Sequence, residues 1–286
     1  MLPRIVKCAI LLLVLVIFAP RSGFAQQSNP EMLKAIDLLA QGKAAEAIPV
    51  LEKLTVDTPS EDAYFALGNA FVLINNPDRA VGAFEDGAAK FPLSARLWNG
   101  AAVVYERRMD VARAISLYRR AVAIDPTIAF TGGGRYDPDF DAVYIPVVHD
   151  HRGANSCLGR LYIYPDKLHY VVYIVASGVL GNDDSFETPL ANISNVEVDR
   201  KKGQQMHDYS ILTMLTNQTS QRRRLAAGEE ARVDLKFTFT QLIKGYRGGS
   251  WTKEDIKFFF IEPENGDRLL KFLESKDVKS TLRKAG

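Results

Sequence analysis

This sequence contains very little cysteine, and its basic and acidic residues are almost equal in number. Only two cysteines, Cys8 and Cys157, occur in 286 residues. Removal of the N-terminal segment described below would leave Cys157 alone, so no intrachain disulfide could form. The same removal would leave 33 basic against 34 acidic residues. A chain so close to neutral gives no reason to expect a nucleic-acid partner.

Motifs of the common enzyme classes are also missing. The sequence contains no Gly-x-Ser-x-Gly elbow, no Walker A loop and no His-Glu-x-x-His motif. Gly132 to Gly134 form a triplet too short for a phosphate-binding loop, and no helix obviously follows it. The sequence therefore predicts a protein that is not an enzyme and has no cofactor, apart from the zinc alternative given below.

The first 25 residues have the pattern of an export signal. Arg4 and Lys7 precede an uncharged apolar run from Cys8 to Phe18, and small residues lead up to Ala25. A run of 11 residues is short for a membrane span, which needs ~20. We expect a signal peptide over residues 1–25, and a periplasmic or secreted protein of a bacterial-type envelope. A retained membrane anchor is the alternative.

A period of 33 to 34 residues follows, marked by Pro59, Pro92 and Pro126. The third copy places large and small apolar residues at fixed offsets, namely Trp98, Ala101, Ala102, Tyr105, Ala114, Tyr118 and Ala121. The second copy has residues of similar size at the same offsets, namely Tyr64, Leu67, Gly68, Phe71, Ala80, Phe84 and Gly87. The first copy is weaker, with Leu38, Ala47, Leu51 and Leu54.

This pattern resembles the tetratricopeptide repeat (TPR), a pair of antiparallel helices. The resemblance implies three repeats over residues 28–127, at about 28–60, 61–94 and 95–127. It also implies a concave groove that binds a protein or peptide segment. The groove residues that it implies are Phe65, Asn69, Arg96, Asn99 and Arg107. Met32 stands where the carboxylate-binding members of the family have lysine, so capture of a C-terminal carboxylate is in doubt.

The pattern changes after Pro126. A Gly/Asp-rich linker is expected at 128–141, where Asp137, Asp139 and Asp141 form a solvated acidic entry to the first strand. Seven short strands rich in Val, Ile, Tyr and Phe are then predicted at 142–148, 159–164, 168–175, 195–198, 210–215, 233–240 and 256–261. A helix that opens at Asn265 follows, and a tail at 277–286 ends the chain.

Seven strands and a closing helix resemble a PH-like barrel of the GRAM type, over residues 142–276. The whole chain is therefore expected to be α+β, with an all-α repeat stack and then a mostly antiparallel barrel. Lys167 is the only basic residue in the loop that binds phosphoinositides in such domains, so lipid binding is not supported. Arg222, Arg223 and Arg224 form a weak candidate for contact with an anionic membrane surface.

Two functions from different classes remain open. The first is a protein-binding or scaffolding protein that uses the TPR groove. The second is a metal-binding or redox-sensing module at His149, His151 and Cys157. In an extended strand the two histidines would point to one face, and zinc accepts such nitrogen and sulfur ligands. Structural roles for these three residues are the alternative reading.

Overall fold

The computed structural model describes residues 29–151, 155–175, 185–202, 227–241, 243, 256–260 and 262–283. Six helices come first: α1 (Pro30–Ala40), α2 (Ala44–Asp57), α3 (Glu61–Leu73), α4 (Pro77–Lys90), α5 (Ala95–Arg107) and α6 (Val111–Ile124). Each helix packs against the next one along the chain. They form the three helix pairs that the period predicts. The expected signal peptide, 1–25, lies outside the described residues.

The turn inside each pair has the same backbone geometry. Gly42, Asn75 and Met109 stand at equivalent positions, and each has a positive φ, at 74°, 57° and 59°. The next residue then donates its N–H to a carbonyl five residues back, as in the 3.0 Å bond from Asp110 to Tyr105. This is the hydrogen bond of a Schellman motif, which ends a helix sharply. The repeat is therefore present in the turns as well as in the apolar pattern.

Small residues allow the helices to approach closely, as the sequence predicts. A Cβ on Gly68 would lie 2.5 Å from the ring of Phe84, which is too close for two carbon atoms. Ala80 and Ala114 are fully buried in the same core. Serine and asparagine side chains cap the N-termini of α3, α4 and α5. At the start of α5, for example, Ser94 accepts the N–H of Leu97 at 3.3 Å.

The segment between the two halves is ordered and attached at several points. It contains a short helix, α7 (Ile128–Thr131), and a two-residue strand, β1 (Tyr136–Asp137). The expectation that its aspartates are merely solvated is wrong for two of the three. Asp137 accepts hydrogen bonds from Tyr162 at 2.8 Å and Arg160 at 3.0 Å. Asp141 accepts one from the hydroxyl of Tyr136 at 2.7 Å.

The second half is a curled, mostly antiparallel sheet with a C-terminal helix. Its strands are β2 (Ala142–His151), β3 (Asn155–Ile163), β4 (Lys167–Val175), β5 (Phe186–Pro189), β6 (Ile193–Lys202), β7 (Glu230–Phe239), β8 (Ile256–Phe260) and β9 (Lys279–Leu282). Their order is β5-β4-β3-β2-β8-β7-β6-β9, and β1 pairs with β2. The ring of Phe186, on one edge, lies 6.4 Å from that of Phe239, so the sheet curls into a half-barrel.

The last helix, α8 (Pro263–Glu274), lies against β7, β8 and β9. It begins two residues before the predicted start at Asn265. Its apolar stripe, Leu269, Phe272 and Leu273, is buried as predicted. The expected tail contains β9, which pairs in parallel with β6. The strand predicted at 210–215 lies outside the described residues, and so do Arg222, Arg223 and Arg224. Among the described helices, none has the length and apolar character required to cross a membrane.

Candidate functional site

A groove of about 660 Å³ runs along the concave face of the first two repeats. Residues from α1, from α3 and from the start of α5 line it. Its floor is apolar and includes Met32, Leu33 and Ile36 of α1 and Phe65 of α3. Leu33 is 53% exposed and Ile36 is 48% exposed. Two large apolar side chains thus face solvent inside a concave surface, where a partner can cover them.

The polar end of the groove holds a small ion-pair cluster. Arg96 forms ion pairs with Glu61 and Asp62, and its guanidinium lies 5.0 Å from the ring centre of Phe65. Burial lowers the pKa of Arg96, but the two carboxylates raise it by more, and the net shift is upward. Two carboxylates outweigh the one guanidinium, so this cluster does not attract an acidic ligand. The floor of the groove is suited to an apolar segment.

Three of the five predicted groove residues line this cavity: Phe65, Asn69 and Arg96. Asn99 and Arg107 do not line it. Asn99 is only 4% exposed, and its side-chain amide donates a 2.7 Å hydrogen bond to the carbonyl of Gly132. Arg107 is exposed at the far end of α5. The prediction that Asn99 offers its amide to a partner is therefore wrong for this structure, because the chain itself covers that position.

The sequence pattern indicated too small a contribution of α1 to the floor of the groove. Leu33, Ile36 and Leu39 line the groove, but only Met32 was assigned a groove position in repeat one. The signal was available in the spacing. Ile36 lies 33 residues before Asn69, one repeat length away on the same helix face. The first repeat was weak because its opening helix lacks the large aromatic residue of the other two.

A buried polar cluster lies where the third repeat meets the β half. The carboxylate of Glu106 accepts hydrogen bonds from the hydroxyl of Tyr118 at 2.6 Å and from the backbone N–H of Arg135 at 2.8 Å. Arg268 of α8 donates to the carbonyl of Glu106 at 2.8 Å. Arg135 also pairs with Glu262 at 2.7 Å. Burial raises the pKa of Tyr118 and lowers that of Arg268. We call this set of residues the joint.

The proposed metal ligands lie on β2 and β3. His149 and Cys157 are direct partners across the two strands. His149 is 3% exposed, with its ring 5.6 Å from those of Tyr170 and Phe258, and Cys157 is fully buried. The side chain of His151 lies outside the described residues. Among the side chains that the structure does describe, no three His, Cys, Asp or Glu residues lie close enough together to hold a metal ion. A redox sensor needs an accessible thiol, so the burial of Cys157 does not fit that role.

Comparisons with known proteins agree with the helical repeats. Among curated proteins, no relative of this sequence was found. Three solved structures are similar: PcrH in complex with the chaperone-binding region of PopB, MamA, and inhibited Vav1. PcrH is 19% identical, with a TM-score of 0.32, over 33% of this chain and 77% of its own. MamA is 26% identical, with a TM-score of 0.32, over 34% and 57%. Vav1 is 10% identical, with a TM-score of 0.21, over 85% and 42%.

TM-scores this low establish no shared overall fold, and this chain spans little more than half of MamA. The family comparison is more specific. A family model described as tetratricopeptide repeat matches residues 32–75 and 65–127. These matches cover α1 to α6, the same six helices that carry the 33- to 34-residue period. The N-terminal helical part of this chain, residues 32–127, therefore consists of tetratricopeptide repeats.

Proposed function

We propose that this chain is a non-enzymatic binding or scaffolding protein that holds an apolar segment of a partner protein in the groove of repeats one and two. The observation that carries the proposal is the exposure of Leu33 and Ile36 inside a concave, family-typical binding surface. Stacked helix pairs do no chemistry of their own, and the carboxylate that lines this groove, Asp62, is paired with Arg96. Because Arg96 is paired with two carboxylates, the partner segment has no acidic group at this end of the groove.

We propose further that the chain is exported and works in the cell envelope. The support is the sequence of residues 1–25, which has the charged, apolar and small-residue regions of a signal peptide. A mature start at Gln26 would leave α1, and with it the whole groove, intact. Sequencing of the exported N-terminus tests this. A product that begins at Met1 and stays in the membrane would replace the signal peptide with an anchor.

For the β half we propose a PH-like barrel with a structural role. The proposal is supported by the six predicted strands that lie in the described residues, β2, β3, β4, β6, β7 and β8, and by the helix α8 that follows them. Lys167, the one basic residue of the predicted lipid loop, pairs with Glu187 at 3.0 Å. The contacts that the β half makes with repeat three support a role in covering the end of the stack. An uncovered last repeat would expose its apolar surface.

Photo-crosslinking in cells tests the binding surface. A photoreactive residue at Leu33 or Ile36 should capture the same partner, and one at Val56 should not. Val56 is a suitable control because it is also exposed and apolar, but it lies on α2 outside the groove. The double variant Leu33→Asp, Ile36→Asp should weaken binding of the identified partner by roughly tenfold to a hundredfold. Full burial of one such side chain contributes about 1.5–3 kcal/mol. Each is already half-buried in the free chain, so a partner would gain about half of that from each side chain, and about 1.5–3 kcal/mol from both.

The matched control is Val56→Asp, which should bind the partner as the native chain does. Both variants should melt close to the native temperature, since the replaced side chains are exposed. Equal crosslinking at Val56 and Ile36, or full binding by the double variant, would place the working surface elsewhere.

A further inference from the structure

Residues 132 to 135 run along the concave face of α5. Asn99 donates its amide to the carbonyl of Gly132 at 2.7 Å, and Glu106 accepts the N–H of Arg135 at 2.8 Å. Both α5 residues occupy positions that face the groove in this repeat family. Here they hold the main chain of the protein itself. The third repeat is therefore occupied, while the first two are open.

These two hydrogen bonds hold both ends of a short, bent segment against one face of α5. Asn99 and Glu106 are seven residues apart, which places them on one helix face and about 10 Å apart along its axis. The backbone between the two bound groups bends at Gly132, where φ is -80° and ψ is 0°, and at Gly133, where φ is 74°. Side chains two turns apart on α5 therefore each bind the backbone of this segment. Side chains that bind a backbone in this way can hold a peptide of suitable sequence.

A segment that binds to repeat three in this way must have glycine at two positions, because a side chain there would collide with the repeat. A Cβ on Gly132 would lie 2.5 Å from the amide of Asn99. A Cβ on Gly134 would overlap the hydroxyl of Tyr118. The intervening Gly133 has a φ of 74°, and a Cβ placed on it would have no neighbour within 4 Å. The chemical class of ligand for repeat three is therefore a glycine-rich segment with a bend, and this chain contains one.

Occupation of repeat three is connected to the position of the β half. Arg135, the last residue of the segment, pairs with Glu262, next to the start of α8. Arg268 in the same helix donates to the carbonyl of Glu106. Release of the segment from Asn99 and Glu106 would break these contacts with the β half as well. A groove ligand cannot reach the amide of Asn99 while Gly132 covers it.

We propose that Gly132–Arg135 is an intramolecular ligand of repeat three, which closes the groove to partners and keeps the β half docked. This extends the proposed function by limiting the partner to the first two repeats. The test of this intramolecular contact needs no partner protein. It can therefore fail while the proposed partner binding by repeats one and two holds, and the reverse.

The variant pair Gly134→Ala and Gly133→Ala separates steric exclusion from backbone strain. The Cβ in Gly134→Ala collides with Tyr118, whereas the one in Gly133→Ala meets no atom and only strains a left-handed backbone. In the full chain, hydrogen exchange at the Arg135 amide should be slow. We expect it to accelerate at least tenfold in Gly134→Ala relative to Gly133→Ala. Trp98 fluorescence, measured with the second tryptophan replaced (Trp251→Phe), should confirm that repeat three stays folded.

A synthetic peptide with the sequence of residues 128–137 supplies the second measurement. It should bind the full-length Gly134→Ala variant, whose third repeat is vacated, and should not bind the native chain. Adding Asn99→Ala to that variant should remove the binding. If Gly134→Ala unfolds repeat three, Asn99→Ala alone should still accelerate exchange at residues 132–135. Unchanged exchange in these variants, or peptide binding equal in native and variant chains, would overturn the proposal.

Discussion

The rings of Tyr118 and Tyr136 stack across the boundary between the two halves, with centroids 5.0 Å apart and planes inclined by 11°. Their hydroxyls point to different carboxylates. Tyr118 donates to Glu106 of repeat three, and Tyr136 donates to Asp141 before β2. Asp141 also pairs with Arg119 of α6. The stacked rings thus lie between two carboxylates, Glu106 and Asp141. The ring stack and the pair between Arg119 and Asp141 both hold the repeats against the β half.

We expect Tyr136→Ala to destabilise the whole chain by about 3 to 5 kcal/mol, because it removes a buried aromatic ring that stacks on Tyr118 at the boundary between the halves. Denaturant unfolding followed by helix and sheet signals measures this change. Phe130→Ala is the control, since Phe130 is 85% exposed although it lies only six residues away. A loss limited to the sheet signal, with the helices unaffected, would contradict the view that the halves unfold together.

Part of the linker and the β half cover the end of repeat three. Ile128 packs against the core, and the β half supplies the rest through Tyr136. Phe130 takes no part.

Glu106 is expected to be the residue of the joint most sensitive to replacement. Glu106→Ala leaves Arg268 buried without its carboxylate partner, 3.6 Å away, and should cost about 3 to 5 kcal/mol. Asp78→Ala removes the partner of Arg108 at the surface and should cost less than about 1 kcal/mol. Urea unfolding of both variants at the same pH makes the comparison. Equal, small losses would mean that the joint contributes little to stability.

Local pattern predicted much of the fold. The 33- to 34-residue period predicted all six helices, because each repeat buries the residues at the same positions against its neighbours. Alternating apolar residues gave most strands of the sheet. The short β5 and β9 were not predicted as strands. β5 has only four residues, and one of its two buried positions is a threonine, so its alternation is not visible as an apolar pattern. The residues of β9 are all exposed.

The joint could not have been predicted from such patterns. Glu106 and Arg268 are 162 residues apart in the chain, and nothing near either of them indicates the other. The family pattern assigns Asn99 to an open groove, but it contains no information on what the following segment does. The glycines at 132 and 134 were visible in the sequence. Their contacts depend on where the chain turns after α6, and this is set by the docking of the β half.

The metal-site alternative has a direct test. His149 and Cys157 face each other across β2 and β3, but the His149 ring lies among Tyr170 and Phe258. This aromatic packing leads us to expect a structural role. Protein purified without a histidine tag should contain no stoichiometric zinc, and a chelator should not change its melting temperature. Stoichiometric zinc that disappears in His149→Ala and His151→Ala, with folding retained, would establish the metal-binding function instead.

Acid should weaken the β half through His169. Its ring lies 5.6 Å from that of Phe140, and burial lowers its pKa; Glu187 raises this pKa and Lys167 lowers it, but burial dominates. The folded protein therefore favours neutral His169, while the unfolded chain takes up a proton below its ordinary pKa of about 6.5. Stability should be full above that pH and fall as the pH drops towards the folded pKa, by at most about 1.4 kcal/mol per pH unit.

Urea unfolding of the native chain and of His169→Gln at pH 7.5 and 5.5 measures this contribution, because glutamine is neutral at both values. The difference in unfolding free energy between the two chains should shift in favour of His169→Gln as the pH falls. At pH 5.5 most carboxylates are still ionised, so their own titration contributes little to the difference. A difference that is the same at both pH values would mean that His169 titrates alike in the folded and unfolded chains. In that case water would reach the His169 ring despite its packing against Phe140.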